Sequence, residues 1–245
     1  ATYLRNGKPQ EALKFLLTIL KQNPENFYAN RLMAQVHLAM GDQDLALEQM
    51  EKTVHLHPKE LKAYQDLSRQ LVRNGRFDDS EKLLQSGVEV LSNNLALQLL
   101  IAEVQQVSGK TGVSVETYRK ILAQNPDSDI AINNLASLLS EDGSKKMLDE
   151  AKEVAERFRD SKVPHFQDTL GWIYYKLGNQ NDALYYLETA SNSLPNVPVF
   201  NYHLGMAYLT SGDKVKAKAA LEKATSSQNT TFPGIEEAKS ALKEL

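Results

Sequence analysis

Apolar residues recur along this chain at helical spacing, in short blocks that each end at a glycine or a proline. In residues 27–60, Met33, Val36 and Met40 fall three or four positions apart up to Gly41. Leu45, Ala46, Leu47, Met50 and Val54 then continue the pattern to Pro58. Such spacing gathers apolar side chains on one face of a helix. Glycine suits the left-handed residue that closes a helix, and proline cannot continue a helical hydrogen-bond ladder. The pattern therefore predicts two helices joined by a tight turn. Asp42 and Asp213, each following a turn glycine, are expected to cap the second helix of their pairs.

The same unit repeats. Gly7, Gly41, Gly75, Gly109, Gly143, Gly178 and Gly212 lie 34, 34, 34, 34, 35 and 34 residues apart. Two columns stay small: Ala34, Ser68, Ala102, Ala136, Gly171 and Gly205 before the turn, and Ala12, Ala46, Ser80, Ser114, Ala183 and Ala217 after it. Small side chains let paired helices approach closely. A fixed period of this length marks a stacked array, which grows along one axis. With Leu170-Gly171, Tyr174, Gly178, Ala183, Leu187, Ala190 and Pro195, and their counterparts from Leu204-Gly205 to Ala224, the chain resembles the tetratricopeptide repeat family. That resemblance implies an all-α, right-handed superhelical solenoid of helix–turn–helix units with a C-terminal capping helix.

The expected organisation is a truncated first repeat (1–26), repeats at 27–60 and 61–94, a divergent repeat at 95–128, and a repeat with an insertion at 129–163. Repeats at 164–197 and 198–231 and a capping helix at 232–245 follow. The insertion, Ser144 to Met147, moves the small residue of its repeat to Ala151. The chain opens with Ala1-Thr2-Tyr3-Leu4 partway through a repeat, so it is expected to be a fragment. Truncation would expose Leu4, Leu13, Leu16 and Leu17. The chain is then a monomer, or self-associates weakly through that end.

Composition narrows the partners. A net charge of −3 does not attract nucleic acid, and the absence of cysteine excludes disulfides and thiolate metal sites. No apolar run is long enough for a membrane span. No cofactor is predicted. Gly109-Lys110-Thr111 is already explained by the repeat turn, and a phosphate-binding loop would need a further upstream glycine and a preceding strand. His55 and His57 precede Pro58 at a helix end and lack further ligands nearby, and His165 and His203 are no better placed for a metal. Carboxylates are expected on polar helix faces, none buried as general acid catalysis would need. Asn229-Thr230-Thr231 has the form of a glycosylation acceptor. The chain is therefore expected not to be an enzyme.

The family resemblance implies a groove lined by the first helices, which usually holds a peptide. Its positions in this sequence include Arg31, Lys62, Asp66, Arg69 and Arg73, then Asn133 and Asn134, then His165, Asp168, Trp172, Tyr175, Tyr202, His203 and Met206. The carboxylate clamp of chaperone-binding members is absent, because Leu99, Glu103, His165 and Thr169 stand beside Asn134. The asparagine ladder of sugar-nucleotide transferases is absent too, with Leu32, Asp66, Leu100, Thr169 and His203 at its other places. Two features remain. Trp172, Tyr175 and Tyr202 form an aromatic cluster that either anchors a ligand or packs half-buried, whereas Tyr174 and Tyr208 are expected in the core. Arg31, Lys62, Arg69 and Arg73 either make the N-terminal half of the groove basic or form a solvated face.

These readings predict a scaffold that binds a peptide segment or partner protein. From Asn133-Asn134-Leu135-Ala136 to Phe232-Pro233-Gly234, the C-terminal half is similar to bacterial exosortase-associated repeat lipoproteins. That similarity implies a periplasmic or cell-envelope location, a lipid anchor outside this stretch, and partners in exopolysaccharide export. A substrate-recruiting domain of a larger enzyme and direct polysaccharide binding stay open as alternatives.

Overall fold

The computed structural model describes residues 2–226 and 231–245; Asn229 and Thr230 of the glycosylation pattern lie outside them. The described residues are helical, without strands, and divide into two units at Thr117/Tyr118. The first holds α1 (Thr2–Arg5), α2 (Pro9–Gln22), α3 (Phe27–Met40), α4 (Gln43–Leu56), α5 (Leu61–Arg73), α6 (Phe77–Val90) and α7 (Leu95–Val107). Helix α8 (Thr111–Gln124) contains the division. The second holds α9 (Asp129–Asp142), α10 (Lys145–Ala155) with a 3-10 turn at Glu156–Phe158, α11 (Pro164–Lys176), α12 (Gln180–Ser193), α13 (Pro198–Ser211), α14 (Lys214–Ala224) and α15 (Ile235–Glu244). Within each unit, successive helices pack in pairs.

Local signals set these boundaries. Asn26 accepts a hydrogen bond from the Ala29 amide at the start of α3, and Gly41 ends that helix in the left-handed region at φ 87°. Asp213 caps α14 as its sequence suggests. Asp42 makes no such bond at α4, and its carboxylate lies 3.8 Å from His37 Nδ1 instead.

Each pair closes on its small column. A Cβ on Gly171 would meet Leu187 Cγ at 2.8 Å and the Leu187 amide nitrogen at 3.0 Å; on Gly205 it would meet Leu221 Cγ at 2.7 Å. The polar members are satisfied in place, with Ser68 and Ser80 hydroxyls 2.8 Å apart and Ser114 donating to the Ala102 carbonyl at 2.8 Å. Around these contacts lie fully buried Leu84, Leu97, Leu170, Leu187 and Leu221, each contributing about 1.5–3 kcal/mol by leaving water. Ala151 is buried, so α10 restores the small contact beyond the insertion.

Two expectations change. Leu16 is buried beneath α3 and Leu4 and Leu13 pack against the same cluster, so of the four leucines expected to be exposed only Leu17 is. Helix α2 turns this stripe onto α3, which covers it, while Tyr3, Phe15 and Leu17 stay exposed. Tyr174 is buried, as expected, while Tyr208 is half-buried with its hydroxyl on Glu188 at 2.6 Å.

Gly171→Ala or Gly205→Ala should cost about 1–3 kcal/mol by overpacking. Gly112→Ala in α8, where nothing lies within 4 Å, should instead stabilise by about 0.5–1 kcal/mol. Urea midpoints of the three variants check the opposite signs. Burial and the Glu156 carboxylate push the Tyr174 phenol up to about 12 from 10.0. The fold thus favours the neutral phenol: this stabilisation is complete below pH 10 and is lost as pH rises toward 12. Tyr174→Phe should lose less stability than the parent over that interval, read as urea midpoints at its two ends.

Candidate functional site

In the first unit the basic residues share one face. Arg31 on α3 donates from Nε to Asp66 Oδ2 at 2.7 Å. Lys62 Nζ lies 3.3 Å and Arg69 Nη1 3.7 Å from Asp66 Oδ1. Arg73, one turn beyond Arg69 on α5, has no carboxylate within salt-bridge distance among the described residues. Four cations therefore share this face with one carboxylate. The three arginines and Asp66 border a cavity of about 190 Å³ that Gln35, Leu38, Met50 and Thr53 also line. A second cavity, of about 270 Å³, lies between α5 and α7, lined by Val72, Leu100, Val104 and Val107 with Arg69 and Glu103. Burial pushes the Glu103 carboxyl up from its ordinary value. Small-molecule sites occupy roughly 300–1,000 Å³; these cavities are the size of protein side chains.

In the second unit the aromatic residues form a packed stack. Trp172 lies between Tyr175 (centroids 4.6 Å apart, 11°) and His203 (4.0 Å, 17°). Its indole N–H donates to Glu141 Oε1 at 3.1 Å, and Lys176 Nζ lies 4.9 Å from its ring. Only 5% of Trp172 and 3% of Tyr202 is exposed. Helix α15 covers Tyr202: Ala238 and Ala241 join Trp172, Tyr202 and Met206 in one cluster, and the Tyr202 hydroxyl donates to Glu237 at 2.6 Å. Burial first, then the Glu237 carboxylate, raises the Tyr202 phenol well above its ordinary range. Of the expected groove residues here, Tyr175 is half-buried and His165 exposed, edge-on to Phe200 at 5.1 Å.

Asp168 corrects the expectation that no carboxylate would be buried. It is 5% exposed and accepts from His203 Nδ1 at 2.9 and 3.0 Å. Its partner comes from the next helix pair, 35 residues on, as Asp66 does for Arg31. That recurrent offset was available in the sequence, and reading across units at 35 residues would have found both pairs. Asn133 and Asn134 adjoin each other on α9, and Asn134 donates to the Tyr118 hydroxyl at 3.0 Å. The Asn133 Oδ1 atom is buried without a partner among the described residues. No group of three or more His, Asp or Glu suited to a metal occurs among the described residues, and no helix there is long and apolar enough to cross a membrane.

Residues 3–71 and 199–231 match the tetratricopeptide repeat. These two stretches are tetratricopeptide repeats. The crystal structure of the APC/C hetero-tetramer Cut9-Hcn1 is similar at TM-score 0.71 and 14% identity, over 99% of this chain and 47% of that one. A tetratricopeptide repeat protein from Parabacteroides merdae gives TM-score 0.69 at 14% identity, over 99% and 94%. TTC0263, a thermophilic repeat protein of Thermus thermophilus, gives 0.60 at 20% identity over 74% and 98%. These likenesses concern the fold. In sequence, 151 residues (60% of the chain) are 24% identical to the Protein O-mannosyl-transferase TMTC1 of Mus musculus, of which they span 16%.

In the second unit α15 packs on α13 and α14 and lies over Tyr202. Gly234 precedes that helix at φ 92°, and a Cβ there would clash with Cε1 and Cζ of Tyr202. Gly234→Ala should therefore loosen α15 and shift the emission of Trp172, the sole tryptophan, to longer wavelength. An unshifted spectrum in a stably folded variant would mean that α15 does not seal Trp172.

Proposed function

We propose that this repeat chain is a non-catalytic scaffold that holds a segment of a partner protein on the face of α3, α5 and α7. The supporting observation is the uncompensated positive charge around Asp66, bordering two cavities of side-chain size. Repeat stacking keeps these groups in place before any partner arrives, which lowers the entropic cost of binding. The aromatic cluster is a weaker candidate anchor, because both faces of Trp172 are covered by the chain's own rings and a ligand would first have to displace Tyr175 or His203.

A second reading makes the repeats a substrate-recruiting part of a larger enzyme. It is favoured by the match to a mannosyl-transferase, of which the aligned stretch is a small part. A catalytic domain in the full-length gene would support it. A bacterial cell-envelope setting, with partners in exopolysaccharide export, rests on the C-terminal sequence resemblance alone, and no feature of the site adds to it. Polysaccharide stacking on Trp172, Tyr175 and Tyr202 would register as a glycan-dependent change in Trp172 emission.

Affinity capture from a lysate of the source organism tests the scaffold reading with three baits: the parent, Arg69→Glu/Arg73→Glu, and Tyr175→Ala/His165→Ala. Arg69, Arg73 and His165 are exposed and Tyr175 is half-buried, so the fold should survive these changes. We expect a protein captured by the parent and by the Tyr175/His165 variant but lost from the arginine variant. Loss from the Tyr175/His165 variant alone would move the site to the second unit. Equal capture by all three would exclude both faces.

A further inference from the structure

Within the scaffold reading, on which this inference rests, the two cavities of the first unit differ in chemistry. Both are lined by Arg69. On one side of that residue stand Arg31, Lys62 and Arg73, with Asp66 as the single carboxylate. On the other stand four aliphatic side chains and Glu103, which has no ion pair or hydrogen bond among the described residues. Val107 is 59% exposed at that cavity, so the apolar surface opens to solvent.

From this juxtaposition we infer that the first unit recognises an extended partner segment carrying at least two acidic residues on one side of an aliphatic residue. The carboxylates face Arg31, Arg69 and Arg73, and the aliphatic side chain fills the cavity of Leu100, Val104 and Val107. More than one acidic residue is required because the surplus on this face exceeds a single charge: four cations stand against Asp66 and Glu103. The order is fixed by Glu103. A second acidic side chain placed beyond the aliphatic residue would meet the half-buried Glu103 carboxylate, which no ion pair offsets among the described residues, and such like-charge contacts set specificity by exclusion. A protein segment fits better than nucleic acid or a glycan, because none of the residues lining either cavity is aromatic. Base and sugar recognition in an open groove draws on aromatic stacking, which these walls do not provide.

The experiment is a selection from a random dodecapeptide display library on the whole chain, followed by anisotropy measurements on the enriched peptides. Expected are peptides with acidic residues clustered on one constant side of Leu, Ile or Val. Their affinity should fall about tenfold with Arg69→Glu/Arg73→Glu and fall as salt rises. Val107→Glu should weaken them too. Selection on Glu103→Gln should return peptides with acidic residues on both sides of the aliphatic position. Enriched peptides without acidic bias, or bound equally by the arginine variant, would overturn this specificity while leaving a peptide-binding scaffold in place. An unchanged one-sided pattern on Glu103→Gln would overturn the role given to Glu103. Failure to enrich any peptide, or tighter binding of heparin or single-stranded DNA than of any peptide, would overturn the scaffold reading together with it.

Discussion

The close approach of two helices at a column of small residues is the contact on which the rest of this structure depends. Gly171 against Leu187 and Gly205 against Leu221 leave no space for a Cβ. Where the column carries serine, the hydroxyls of Ser68, Ser80 and Ser114 are paired within the same contact, so polarity is tolerated at no cost in unsatisfied groups. The turn glycines Gly178 and Gly212, seven residues beyond Gly171 and Gly205, let the chain reverse and return to that contact. Together they let the two helices of a pair pack side by side at close range.

A second regularity runs between pairs rather than within them. Arg31 meets Asp66, Asp168 meets His203 and Tyr202 meets Glu237, each across 35 residues. One position on a first helix thus lies beside the following position of the next. The same register serves opposite ends in the two units. In the first it leaves an excess of cations around one carboxylate beside open cavities. In the second it buries an acid–histidine pair under an aromatic stack and a closing helix. The first arrangement is suited to receiving charge from a partner, and the second to holding the chain's own elements together.

The fold was legible because its signals are local or periodic: glycine at the turns, proline after the second helices, small residues in two columns. The cap at Asp213 was legible for the same reason, whereas Asp42, with the same sequence signal, lies near His37 instead. The candidate site was legible only in part. The basic residues were visible as a set, but not that three of them would converge on Asp66. The burial of Trp172 and Tyr202 was not visible: Tyr175 and His203 cover the faces of Trp172, and Tyr202 is covered by α15, beyond the last repeat, whose own pattern says only that one of its faces is polar. Asp168 escaped because its partner sits in the next repeat. Interactions between repeats need the register as well as the pattern, and the register becomes readable once the 35-residue offset is recognised.

Binding of a protein partner on the face of α3, α5 and α7 of the first unit can be read by methyl NMR of the Leu, Ile and Val side chains during titration with the captured partner segment. Shifts should concentrate at Leu38, Leu100, Val104 and Val107, with Leu83 and Val90 on α6 unmoved. Shifts centred on α6, or confined to the second unit, would contradict it.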